Sequence, residues 1–145
     1  MTEETNKQNV LIVDDEPGNI RILMELLSAN YQIRVATNGE TALEIAMSKN
    51  PPDLILLDIM MPGMDGYEVC KRLKENSSTH RIPVIFLTGK ATEEDEIKGF
   101  ETGAVDYITK PFSAVIVATR VKTALELKRH RDFLEKMLHA RVKMT

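Results

Sequence analysis

Three acids, a threonine and a lysine stand beside apolar runs in a way that invites a chemical reading. The stretch VLIVDDEP (10–17) passes from branched aliphatics straight to Asp14, Asp15 and Glu16. DLILLD (53–58) closes on Asp58, IPVIFLT (82–88) closes on Thr88, and AVDYIT (104–109) runs directly into Lys110-Pro111. Taken alone, the first stretch reads most simply as a helix start, because Asp caps well, acids suit the positive end of the helix dipole and proline suits the first helical position. The sharper reading is a cation pocket. Neighbouring carboxylates repel by about 4 kcal/mol at about 4 Å near a protein surface, and a bound cation removes that penalty. Three carboxylates, a hydroxyl and an ammonium in one pocket suit phosphoryl transfer to a carboxylate. A hard dication such as Mg²⁺ takes oxygen ligands, the central carboxylate serves as nucleophile and forms an acyl phosphate, and the metal and the lysine neutralise the transferring group. No phosphate-cradling glycine-rich loop is present, so nucleotide binding is not indicated.

That reading holds only if the elements bring these residues together. Five short apolar, β-branched runs read as strands: 9–14, 31–36, 53–58, 82–88 and 104–109. Being apolar on both faces, they suggest strands covered from both sides. Helical patterns lie between them. Ile20, Leu23, Met24 and Leu27 recur at spacings of three and four in 17–29, as do Ala42, Ile45 and Ala46 in 38–49 after an Asn38 cap. Asp65 caps 65–75, with Val69 and Leu73 on one face; Thr92 caps 92–102; and 113–141 is one long pattern. A strand–helix alternation repeated five times implies an α/β doubly wound parallel sheet with right-handed crossovers, and five strands favour the flavodoxin-like order 2-1-3-4-5. Ligands of such sheets bind outside the carboxyl ends of the strands. With strand 1 beside strand 3, and strands 3, 4 and 5 in sequence, Asp14, Asp15, Asp58, Thr88 and Lys110 converge on one edge. Each has an ordinary alternative taken singly: a turn start for Asp58, packing for Thr88, a solvated loop residue for Lys110. Four of five strands carrying a suitable group at the same end is hard to reconcile with those alternatives together.

Bulk properties agree with one soluble domain. The chain has 145 residues, 43% of them hydrophobic and 28% charged, with a net charge of −3. Residues 128–145 carry +4, which leaves −7 on residues 1–127. An acidic body argues against nucleic-acid binding through the main domain; the basic end reads more simply as a solvated helix face. Cys70 is the only cysteine, so no intrachain disulfide exists and a reducing cytoplasm suits the chain. No apolar run approaches the length of a membrane span. Residues 1–8 are polar, lack the layout of a signal peptide and read as a disordered lead-in.

The motifs VLIVDDEP, LILLDIMMPGMDGYEVC and IPVIFLTGKATEEDEIKGFETGAVDYITKPF together resemble the receiver domain of two-component response regulators, the chemotaxis-receiver type, over about residues 9–125. The resemblance implies that Asp58 accepts a phosphoryl group from a phosphohistidine on a histidine kinase or phosphotransfer protein. It implies that Asp15 ligates Mg²⁺ directly and Asp14 largely through water, with Asp58 and the Met60 backbone carbonyl supplying further oxygens. Lys110 would pair with the carboxylate and then with the phosphoryl group, across a cis bond to Pro111. Thr88 would bond the phosphoryl oxygen and Tyr107 would swing inward behind it, altering the surface made by the fourth helix, fifth strand and fifth helix. On its residue type alone Tyr107 reads as core. Two positions tune such sites in this family, here Met60 and Lys90. Met60 has no group to orient an attacking water, so a long-lived phosphoryl state is expected. Two other readings are a Mg²⁺-dependent phosphohydrolase acting through Asp58, disfavoured by the short connections, and a docking module independent of phosphorylation, disfavoured by the full residue set.

The last helical pattern is longer than the roughly 12–15 residues (~20 Å at 1.5 Å per residue) that cover a sheet of this size. Val117, Ala118, Val121 and Leu125 read as its domain-facing stripe. Beyond, 126–145 reads as an extension with a weaker stripe of Leu127, Leu134, Met137 and Leu138, and His130 and Arg131 where a heptad would want apolar residues. Barely two heptads are present. The extension is expected to dimerise or to link the receiver to an output domain, in the style of the helices that join receivers to domains handling cyclic di-GMP. His130 and His139 read as exposed helix residues.

Overall fold

A computed structural model describes residues 7–89 and 93–144, the side chains of Glu93, Lys143 and Met144 excepted. Residues 1–6 of the lead-in expected over 1–8, Lys90 and the Thr92 cap lie outside the described residues. Five strands and five helices alternate: β1 Asn9–Val13, α1 Pro17–Leu27, β2 Gln32–Ala36, α2 Gly39–Ala46, β3 Leu54–Asp58, α3 Gly66–Glu75, β4 Val84–Thr88, α4 Glu93–Glu101, β5 Asp106–Thr109 and α5 Ala114–Met144. All pairings are parallel and the order is β2-β1-β3-β4-β5. This is the doubly wound, flavodoxin-like sheet that the alternation implies.

The strands are buried to different depths. β1, β3 and β4 lie in the middle and are buried almost throughout. The edge strands β2 and β5 are only partly covered, which corrects the expectation of burial on both faces for all five. Period-2 alternation in the central strands divides the core into two layers. Leu11, Ile55, Leu57 and Phe86 face α2 and α3, against Ala42, Val69 and Leu73. Val10, Ile12, Leu56 and Ile85 face α1 and α5, against Leu23, Leu27 and Val121. Met24, on the α1 stripe by spacing, is turned outward. On α5 the buried stripe is Val117, Val121, Ala124 and Leu125; Ala118 is exposed, so Ala124 takes the place that spacing assigned to it.

Local chemistry explains where the helices start. The Asn38 and Asp65 side chains accept hydrogen bonds from Thr41 N and Glu68 N, each satisfying a free amide of the first turn. α1 opens on Pro17 behind Glu16, but the Glu16 side chain makes no capping bond to the helix; it accepts from the Asn19 side-chain amide instead. No helix among the described residues is long and apolar enough to cross a membrane.

Candidate phosphoryl-acceptor site

Strand register assembles the site. Val13 pairs with Leu57, so Asp14 and Asp58 follow side by side at the carboxyl ends of β1 and β3. Asp58 pairs with Leu87, which places Thr88 one step further along β4. Thr88 pairs with Thr109, and the next residue, Lys110, donates its backbone N–H to the Thr88 carbonyl at 2.8 Å. Lys110 precedes Pro111 across a cis peptide bond. The edge that the alternation predicts therefore exists.

Asp14 is wholly buried. Its Oδ1 accepts from Glu16 N at 3.0 Å, which holds the carboxylate and turns the chain into α1. Its Oδ2 has no hydrogen-bond partner, although the Lys110 ammonium stands 3.6 Å away. Asp58 is 3% exposed; its Oδ1 accepts from Met60 N and from Lys110 Nζ, both at 3.3 Å. Asp15 is exposed at the mouth, and one oxygen from each of Asp14, Asp15 and Asp58 lies within 4.8 Å of the others. Burial pushes the Asp58 carboxyl up to about 6, and the Asp14 charge adds to it; the Lys110 charge and hydrogen bond, and the Met60 amide, act in the opposite direction. One ammonium thus lies against two of three clustered carboxylates. An orphaned buried oxygen on Asp14 and an all-oxygen donor set fit a hard divalent cation such as Mg²⁺.

The remaining expected residues lie close by. Thr88 is 9% exposed at the tip of β4. Tyr107, in register with Phe86, is half-buried, so its reading as plain core holds only in part. Its ring meets Phe100 edge-on at 6.2 Å, with the Arg120 guanidinium 5.8 Å from its centre. A small hollow between β4, β5 and α4 is lined by Phe86, Thr88, Gly99, Phe100, Ala104 and Tyr107. Met60 projects its side chain outward beside Asp58. Sequence reasoning missed Arg120, whose Nη1 reaches both oxygens of Asp106 at 2.8 and 2.9 Å and ties α5 to β5. Nothing in the spacing of an arginine and an aspartate fourteen residues apart marks such a pair. It also missed Gly66: a Cβ there would lie 2.4 Å from the Asp58 carbonyl oxygen, so only glycine lets α3 begin against the end of β3.

A doubly wound sheet with its polar groups gathered beside the reversal of strand order defines the class. Within it, the family model described as "Response regulator receiver domain" matches residues 10–122, and the chain belongs to that family. It is similar to a "Probable cyclic di-GMP phosphodiesterase" of Vibrio cholerae serotype O1, with 50% identity over 132 residues, 91% of this chain and 30% of that protein. It is also similar to the "Transcriptional regulatory protein ResD" of Bacillus subtilis strain 168, with 47% identity over 124 residues, 85% of this chain and 50% of that protein. The chain therefore spans half or less of the length of these curated relatives. Among solved structures, the signal receiver domain of a signal transduction histidine kinase from Syntrophus aciditrophicus superposes with a TM-score of 0.73 at 38% identity, covering 82% of this chain and 90% of that one.

Proposed function

We propose that this receiver is the phospho-acceptor of a two-component system and that Asp58 takes the phosphoryl group from a phosphohistidine of a histidine kinase or phosphotransfer protein. The observation that carries the reading is the buried Asp58 carboxylate held by Lys110 beside two further carboxylates. In the transfer, an Asp58 oxygen forms the new O–P bond as the N–P bond of the donor breaks, and the imidazole leaves and regains a proton. Asp14, Asp15, Asp58 and the Met60 carbonyl would hold Mg²⁺, which supplies charge neutralisation for the phosphoryl oxygens. Lys110 already touches Asp58 and is the counter-charge for the same oxygens. Thr88 would donate its hydroxyl to a phosphoryl oxygen, and Tyr107 would follow into the hollow behind it. That movement changes the face made by α4, β5 and α5, a local charge change biasing a two-state surface.

Relatives of which this chain covers half or less support a regulatory role within a larger cytoplasmic protein, with α5 leading to the output. The similarity to the Vibrio cholerae protein favours an output that handles cyclic di-GMP. The test uses intact mass after incubation with Mg²⁺ and acetyl phosphate. The expected result is one phosphoryl adduct per chain, absent from Asp58→Asn. Rapid turnover of small phosphate esters without an adduct would instead point to a phosphohydrolase, and neither adduct nor turnover to a docking module.

A further inference from the structure

We propose that Lys98, seated on the ring of Tyr67, is a positioning residue for the acceptor. It couples α4 to the end of β3 through the first turn of α3, and so sets how readily Asp58 is phosphorylated. The inference rests on Asp58 being the acceptor. Tyr67 follows directly on Gly66, whose N–H donates to the Ile59 carbonyl at 2.9 Å. Gly66 lies so close to β3 that a Cβ on it would stand 2.4 Å from the Asp58 carbonyl oxygen. Backbone touches backbone here, with no flexible side chain between. A displacement of the Tyr67 ring is therefore passed to the acceptor strand rather than absorbed.

The ring is held from two sides. Phe86 of β4 meets it edge-on, with ring centres 5.3 Å apart and planes at 64°. The Lys98 ammonium of α4 lies 4.3 Å from its centre, where a cation is drawn to the negative face of the ring. The Tyr67 hydroxyl is buried and makes no hydrogen bond among the described residues. The aromatic face, not the phenol oxygen, is what α4 grips. Contacts next to Lys98 lay α4 along the same line. A Cβ on Gly99 would come 3.1 Å from the Phe86 ring, and the Thr102 carbonyl, just past α4, accepts from Cys70 Sγ at 3.4 Å.

Asp58, Gly66, Tyr67 and Lys98 thus form a line from the acceptor to α4 that passes through neither Thr88 nor Tyr107. It holds α4 to α3, while Phe100 against Tyr107 holds α4 to β5. The two grips coexist with the hollow open and Tyr107 turned to Phe100, so Lys98 favours that arrangement over one in which Tyr107 has moved in. Lys98 is exposed, which makes its hold modest: a surface contact of this kind biases a two-state equilibrium about two- to fivefold. Breaking it favours the arrangement that accompanies phosphorylation. Charge by itself has the opposite sign, because loss of a cation slows encounter with an anionic phosphoryl donor.

The test follows adduct formation at Asp58 by intact mass, with Mg²⁺ and subsaturating acetyl phosphate. Amide exchange, resolved by NMR without a phosphoryl donor, runs alongside it. Lys98→Met is expected to be phosphorylated about two- to fivefold faster than wild type, with faster exchange in α4 and at Gly66. Lys98→Arg restores the wild-type rate, because a guanidinium also sits on the ring. Tyr67→Phe leaves the rate unchanged, because the ring face remains. On a Tyr67→Leu background, Lys98→Met adds nothing further. A Lys98→Met rate at or below wild type overturns the proposal, and so does Lys98→Arg reacting as fast as Lys98→Met. If wild type takes no adduct, the acceptor reading fails by itself. Exchange at Gly66 then decides the coupling, and a Lys98→Met protein that exchanges there like wild type overturns it.

Discussion

Asp58 sits where an ionised carboxyl is least comfortable, buried and beside the Asp14 carboxylate, and its pKa of about 6 expresses that discomfort. The folded value lies above the ordinary carboxyl value of 3.8, so the folded chain holds the proton more tightly than the unfolded one. The group's contribution to stability is therefore full below about pH 4 and is lost as the pH rises through about 6. Asp58→Asn removes that loss. In metal-free buffer at pH 7.5 the variant is expected to be more stable than wild type by about 1–3 kcal/mol, and the gap should close towards pH 4. Urea titrations of both proteins at the two pH values check this; a gap independent of pH would contradict it. Met60 supports a second expectation. Its side chain is 79% exposed beside Asp58 and offers no group to orient an attacking water. The phosphorylated protein should lose label slowly, and Met60→Asn should speed the loss several-fold; wild-type turnover within seconds would sink the idea.

Helix α3 illustrates how an element sets the position of a side chain it does not carry. Its first residue, Gly66, donates N–H to the Ile59 carbonyl at 2.9 Å and lies against the Asp58 backbone, while Asp65 caps the turn. A methyl group at Gly66 has backbone on its near side, with nothing flexible to yield. Gly66→Ala should push α3 and the end of β3 apart, costing about 1–3 kcal/mol. It should also slow phosphorylation by acetyl phosphate, because Asp58 shifts relative to Lys110. A variant that melts like wild type and is phosphorylated at the same rate would show that the helix start adapts freely. The capped helices α2 and α3 were legible because Asn38 and Asp65 stand directly before an apolar period of three and four. The α1 start was legible from Pro17, but the use of Asp14 rather than Glu16 to hold the local backbone was not. That choice depends on where β1 stops.

In the molecule as a whole, α5 belongs to two structures at once. Its first turns close the core beneath β1, β3 and β4, and its remainder runs beyond the sheet, held at the foot of the domain by Lys128 and Arg81. Ion pairs at the surface, the partly exposed Lys128 and the exposed Arg81 among them, add little to global stability, usually about 0–1 kcal/mol. A Lys128→Met/Arg81→Ala variant should therefore unfold within about 1 kcal/mol of wild type. Its amides over 128–140 should nevertheless exchange faster, because the helix is no longer fastened to the base. Native-state hydrogen exchange followed by mass spectrometry separates the two effects; unchanged exchange would show that the helix holds itself. An extension fastened in this way moves with the domain.

The chain's own pattern was enough to determine the alternation, the strand order and the gathering of Asp14, Asp15, Asp58, Thr88 and Lys110 at one sheet edge. Those features rest on local physics: apolar periods, capping side chains, and the rule that a parallel sheet gathers its strand ends on one edge. Ala124 in place of Ala118, the outward Met24, the Arg120–Asp106 pair, the glycine requirement at 66 and the hold of Arg81 on Glu135 were beyond it. Each depends on the distance and angle between elements far apart in the chain, and only packing of the assembled helices against the sheet sets those. The same packing decides which side of α5 faces the domain and so which apolar side chains of its extension remain exposed.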